Sequence, residues 1–347
     1  MDRPTIPALT RKSALALGGA AMFWTALPRA ARAQVATIQF GSVGGLTDAG
    51  IYLAEELGYF TAAGIAVTSQ IVPGAPPLVA ALAANQLDVA GISVTPGLFA
   101  AVDRGIALRI VGDKQSYHNG FSATRLIARP SVVKATLGAT IQNWRGKSLA
   151  VSAKAGATYF LLVKALEKFG LTVADVKIVE LAYPNMGPAL STGAIDAAVS
   201  IEPFLSQTLR SGDAKMVSDL VEFAPGGSMV IVPLVFSEGF IKNRPVSLAF
   251  MKAYVQGVRA YIDAVAKNKN KDKVMEIIAR RSKLDEALVR ASFPCWLDPD
   301  QRVNTRALDV LQTFFVQQGM LAAPIDLNRL VDPSFAQAAV AALGAYR

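Results

Sequence analysis

The feature that most constrains this chain is a pattern that occurs twice. Thr37-Ile38-Gln39-Phe40 is a short apolar run that breaks at Gly41-Ser42-Val43-Gly44-Gly45. A helical pattern follows from Asp48 through Ile51, Leu53, Ala54 and Leu57, stops at Gly58, and leads to the strand Ile65-Ala66-Val67. The same order returns later: the run Ser148 to Ser152, a break at Lys154-Ala155-Gly156-Ala157, a helix Tyr159 to Phe169, a stop at Gly170, and the strand Val176 to Val179. A second pair of segments agrees. Leu87-Asp88-Val89-Ala90 ends in Ser93-Val94-Thr95-Pro96, and Ile195-Asp196-Ala197-Ala198 ends in Ser200-Ile201-Glu202-Pro203. Strands alternating with helices of this length predict βαβ units around parallel sheets, hence two similar α/β lobes.

Helical periodicity dominates the remainder, from Val246 to Lys267, Asp272 to Arg281, Asp285 to Ser292 and Asn304 to Gln318. Lys114 to Gly120 and Pro225 to Ser228 are the expected crossings between lobes. The division is 34–120 for lobe 1, completed by C-terminal helices 240–347 packing back on it, and 121–239 for lobe 2.

Residues 1–33 read as an export signal. Arg3, Arg11 and Lys12 form a basic start, Ala14 to Leu27 is apolar but too short to span a bilayer, and Ala31-Arg32-Ala33 offers a small-x-small cleavage site. Thr10-Arg11-Lys12 is similar to a twin-arginine signal with Lys in the second place, which leaves twin-arginine and general secretory export both open. The expected location is periplasmic, with cleavage near Ala33. Removing five basic residues and Asp2 reduces 35 against 26 to 30 against 25. That balance gives no electrostatic case for nucleic acid, and no basic stripe with interleaved aromatics occurs.

Chemistry-bearing residues are few. A single Cys295 excludes an intramolecular disulfide and a thiolate zinc cluster, and a single His118 leaves little room for His-based metal or acid–base chemistry. Gly146-Lys147-Ser148 resembles the end of a phosphate-binding loop, but Ile141 stands where that motif needs glycine. No GxSxG elbow or HExxH helix occurs. No catalytic residue, metal or cofactor is expected. Cys295 reads as a small buried apolar group, and His118 as a polar surface or inter-lobe residue.

The positive signal lies in the loops after the strands. In open α/β sheets ligands settle outside the carboxyl ends of strands, against helix N-termini whose free N–H groups favour an anion. Ser42 to Asp48, Ser93-Val94-Thr95, Lys154 to Thr158 and Tyr183 to Met186 qualify.

Gly58-Tyr59-Phe60 before Gly64-Ile65, Trp144-Arg145-Gly146-Lys147, and Ile195-Asp196-Ala197-Ala198 with Glu202-Pro203 together carry a resemblance. Over about residues 36–265 the chain resembles the periplasmic solute-binding proteins of ABC importers in the nitrate/sulfonate/taurine group, which includes binders of the thiamin pyrimidine precursor. The resemblance implies a periplasmic-binding-protein type II fold of two lobes. It also implies a monomer that closes on a small molecule and docks on an ABC permease with its ATPase. Carried over by position, the ligand-lining residues would be Gly44, Gly45, Leu46, Thr47, Asp48, Gly74, Ser93, Val94, Thr95, Gly156, Ala157, Thr158, Asn185 and Glu202, with Ser42 beside them. The hydroxyls of Ser42, Thr47, Ser93, Thr95 and Thr158 suit a sulfonate, carboxylate or similar anion held by neutral donors, Lys154 being the one cation in these loops. Glu202 suits an amine or ring N–H on the ligand. Phe99, Tyr159 and Tyr183 leave an aromatic acid open, an aminopyrimidine stays open too, and an exported enzyme using His118 or Glu202 is the alternative from another class. A sensor partner handing its closed form to a membrane receptor is a third.

Overall fold

The structure, a computed structural model, describes residues 35–72 and 74–347. The expected export signal lies outside these residues. Among the described residues ten strands form two five-stranded sheets. The first holds β1 (Ala36–Ser42), β2 (Ile65–Ile71), β3 (Val89–Gly91), β4 (Arg109–Tyr117) and the last strand of the chain, Met229–Phe236. The second holds β5 (Thr124–Ala128), β6 (Ser148–Val151), β7 (Lys177–Glu180), β8 (Ala197–Ile201) and β9 (Lys215–Ser218). With Met229–Phe236 as β10, the orders are β2-β1-β3-β10-β4 and β7-β6-β8-β5-β9. β1 is parallel to β2 and β3, and β6 to β7 and β8. In each sheet one antiparallel strand, β10 or β5, is inserted beside the third. The repeat in the sequence is therefore a repeat of topology.

Two expected boundaries move. β4 continues through Tyr117, so Lys114 lies inside a strand and the first crossing starts at His118. β10 belongs to the first sheet, so the second lobe ends before Met229, not at 239. The reason is burial on both faces: every residue of Met-Val-Ile-Val-Pro-Leu-Val-Phe is buried, as a central strand requires. Pro233, which cannot donate to a ladder, sits at a register shift.

Helix Ala49–Glu56 crosses helix Arg244–Lys267 at glycine contacts: a Cβ on Gly257 would fall 2.2 Å from the Gly50 carbonyl. The long helix buries Phe250, Tyr254, Val258 and Ile262 against the first sheet, the face its periodicity predicts. Helix Thr305–Gln317 packs between the halves. Phe314 lies 5.2 Å from Phe160 and 6.1 Å from Tyr159, and Phe315 lies 6.0 Å from Phe99. Rings buried this way contribute about 1.5–3 kcal/mol each, so one apolar core runs through both sheets.

Candidate functional site

The strand ends of the first sheet carry a buried polar cluster. Ser42, at the end of β1, donates its hydroxyl to Asp48 Oδ2 at 2.6 Å and accepts from the Gly44 N–H at 3.0 Å. Asp48 opens helix Ala49–Glu56, where a carboxylate offsets unpaired N–H groups. Lys114 Nζ lies 2.5 Å from Asp48 Oδ1 and donates to Thr47 Oγ1 at 2.8 Å. Both charged side chains are almost fully buried, at 1% and 2% exposed.

Lys114 reaches Asp48 for two reasons. The β4–β10 pairing steps from Gln115↔Val232 to Asp113↔Pro233, which leaves Lys114 as the bulged residue and re-aims its side chain. Its stem then lies over Gly91, where a Cβ would sit 2.3 Å from Cδ and 2.6 Å from Cε. Lys114 is a buried cation of the candidate site that the sequence reading placed in a crossing between lobes. Its charge is matched by Asp48, and the Ser42 and Thr47 hydroxyls are taken up within the same buried cluster.

The second half brings one of its loops against the first. Gly156 begins helix Ala157–Lys168, and a Cβ placed on it would be 3.6 Å from the Val94 carbonyl. The loops after β3 and β6 therefore come within van der Waals reach of each other. Ser152 donates to the Tyr183 hydroxyl at 2.9 Å, and burial holds the Tyr183 phenol above its ordinary range. Ala157 and Thr158 stand in the first turn, where backbone N–H groups have no intrahelical acceptor.

Of the sequence-predicted residues, Ser42, Gly44, Thr47 and Asp48 form one cluster, with Gly45 and Leu46 in the same turn. Val94 and Gly156 are brought face to face. Ser93 is exposed after β3, and Thr95 is half-buried before helix Pro96–Asp103. Gly74 and Asn185 are exposed at the starts of helices Ala75–Ala83 and Tyr183–Thr192.

Glu202 departs from expectation. Its Oε1 accepts from Ser206 Oγ at 2.7 Å and from the Phe293 N–H at 2.8 Å, and its Oε2 accepts from the Ser206 N–H at 3.1 Å. Desolvation raises its pKa against those hydrogen bonds. It is a buried anchor whose oxygens are already engaged by the protein, not a carboxylate offered to a ligand amine. Phe99 is fully buried against Phe315, so sequence adjacency to Thr95 did not make it a cleft residue. His118 stacks on Trp296 at 4.1 Å and its Nδ1 lies 3.2 Å from the Asn119 carbonyl. Cys295 is buried as expected, with its thiol pushed up to about 11 by desolvation.

Comparison with known proteins bears on the family and the fold. The family model of the NMT1-like family matches residues 31–279. A protein of Escherichia coli (strain K12) named for binding aliphatic sulfonates is 25% identical over 188 residues, 54% of this chain and 53% of that protein. The chain thus spans about half the length of the curated relative it matches. Among solved structures, the alkanesulfonate-binding protein SsuA from Xanthomonas axonopodis pv. citri, bound to MOPS, superposes with a TM-score of 0.66 at 20% identity, covering 86% of this chain and 99% of that one. The periplasmic nitrate-binding protein NrtA from Synechocystis PCC 6803 gives 0.68 at 14% identity, covering 90% of each chain. A cysteine-to-serine mutant of the desulfurization enzyme DszB, in complex with biphenyl-2-sulfinic acid, gives 0.64 at 16% identity, covering 89% and 99%. These likenesses establish the fold as the two-lobed one of the SsuA binding proteins, and the match over residues 31–279 makes the chain a member of the NMT1-like family.

Proposed function

We propose that this chain captures a small organic anion of the sulfonate class between its two halves. It then delivers that anion, as an exported monomer, to a membrane permease with its ATPase. The observation that carries this reading is the meeting of the Val94 and Gly156 loops, each at the carboxyl end of its sheet, around hydroxyls and helix N-termini. Such groups hold an anion through oriented dipoles. Exposed Val43 and Ile71, at the ends of β1 and β2, give an apolar tail somewhere to rest, which favours an organic solute over nitrate. The relatives named for sulfonate binding support the same class.

The DszB likeness supports a second reading, an enzyme on this scaffold. The local chemistry favours the first: the Glu202 oxygens are taken up by Ser206 and the Phe293 N–H, and the His118 ring is stacked on Trp296. The test is a thermal-shift screen of the chain from Gln34 against taurine, alkyl and aryl sulfonates, nitrate, aromatic carboxylates and aminopyrimidines. At 100 times its dissociation constant the right solute adds about 2.7 kcal/mol of stability. A shift from a sulfonate recovered unchanged supports the proposal. A product that disappears with Glu202→Gln or His118→Ala, or a shift confined to another class, overturns it.

A further inference from the structure

Ser292 to Leu297 links the helix Glu286–Ala291 to the later helices, and it is fastened to both halves. On the first half, the Ser116 N–H donates to the Trp296 carbonyl at 2.9 Å, and the Cys295 N–H donates to the Tyr261 hydroxyl at 3.1 Å. Cys295 Sγ lies 3.9 Å from the Leu46 carbonyl, beside the first binding loop. On the second half, the buried attachment centres on Phe293. Its N–H donates to Glu202 Oε1 at 2.8 Å, and its ring lies 3.9 Å beneath the Arg125 guanidinium.

The two gripping residues are themselves held still. Glu202 precedes helix Phe204–Ser211 and is tied to it through the Ser206 N–H and hydroxyl. Arg125, on β5, donates Nε to the Ser122 carbonyl at 3.0 Å and Nη1 to Met216 Sδ at 3.2 Å, which fixes its plane over the ring. Both are buried. At the crossing itself, His118 and Phe121 pack on Trp296 at 4.1 and 5.1 Å. The first-half attachments are backbone pairing and a buried thiol, so the segment moves with the first half. At Phe293 the second-half attachment is a charge-assisted hydrogen bond and a cation–ring contact, both made by side chains of the second half.

We propose that Glu202 and Arg125 are positioning residues for capture: by gripping Phe293 they hold the halves closed over the solute and set its residence time without touching it. The inference rests on the solute-binding reading above. Three variants of the full chain test it: Phe293→Leu keeps the N–H and removes the ring, Glu202→Ala removes the acceptor, and Glu202→Gln restores one. Stopped-flow dissociation of the sulfonate found in the screen should quicken about tenfold or more in Phe293→Leu and Glu202→Ala. Association should stay within about twofold, with Glu202→Gln between parent and Glu202→Ala. Unchanged dissociation, or a loss carried by association, overturns the proposal. A second arm needs no solute: amide exchange in Ser93 to Thr95 and Lys154 to Thr158 of the ligand-free protein. Faster exchange in Glu202→Ala, with recovery in Glu202→Gln and unchanged circular dichroism, supports the grip. Equal exchange in all three overturns it, whereas a screen without any solute bears only on the function proposed above.

Discussion

Replacing Lys114 by Met is the most informative single change, because it separates a charge effect from a packing effect. At 2.5 Å, with an effective dielectric of about 20, the Lys114–Asp48 attraction is about 7 kcal/mol. Taking two ions out of water costs several kcal/mol each, so the pair as a whole is close to balanced against an apolar substitute. The single variant is different. Met fills the stem's place over Gly91 but leaves Asp48 buried with no cation against its charge, only neutral donors such as the Ser42 hydroxyl. Breaking one side of a buried pair costs about 3–5 kcal/mol. With an unfolding entropy of about 2.1 cal/mol/K per residue over roughly 310 residues, that lowers the melting midpoint by about 5–8 °C. The double variant Asp48→Asn with Lys114→Met should recover part of the loss, giving a coupling of about 2 kcal/mol or more. The assay is urea and thermal unfolding of all four proteins at one pH and salt. A Lys114→Met protein within about 0.5 kcal/mol of the parent, or strictly additive single effects, would refute the charge-pair account.

Two further outcomes follow from buried contacts. Burial pushes the Asp113 carboxyl up to about 7 from 3.8, with Asp298, Tyr254 and Cys295 as its titratable neighbours. The folded state therefore holds this proton more tightly than the unfolded one. Stability from this group is greatest below about pH 4 and falls through pH 7 by on the order of 4 kcal/mol. Asp113→Asn keeps an acceptor for the Asp298 N–H and should flatten that slope in unfolding curves from pH 4 to 8, leaving the smaller same-sign contribution of Glu202. An unchanged slope would exclude Asp113 as its source. Gly257→Ala forces a methyl to 2.2 Å from the Gly50 carbonyl, a backbone atom that cannot swing aside. It should destabilise by about 1–3 kcal/mol in chemical unfolding, and a neutral result would mean the two helices sit further apart.

What could be read from the sequence is what repeats locally. The strand, glycine loop and helix units after β1 and β6 follow from hydrophobic periodicity and glycine stops, whereas the approach of Gly156 to the Val94 carbonyl joins loops that the repeat does not pair. Lys114 was not legible, because its position depends on a bulge set by pairing with Val232 and Pro233, far along the chain. It looked like a linker for the same reason β10 looked like part of the second lobe: strand membership is decided by partners, not by neighbours. Glu202 shows the complementary failure. Its residue type and its place after β8 were visible, and both suggested a ligand contact. Its role is decided by Phe293, 91 residues later, which arrives with a segment that has no periodicity to announce it. The general consequence is physical. Loops at strand ends are specified by short-range turn chemistry and so are readable, whereas a buried charge is only as available as its partner allows, and that partner is a long-range fact. The same logic predicts where relatives on this scaffold diverge in ligand: at the groups that satisfy Asp48, Lys114 and Glu202, before the loops themselves change.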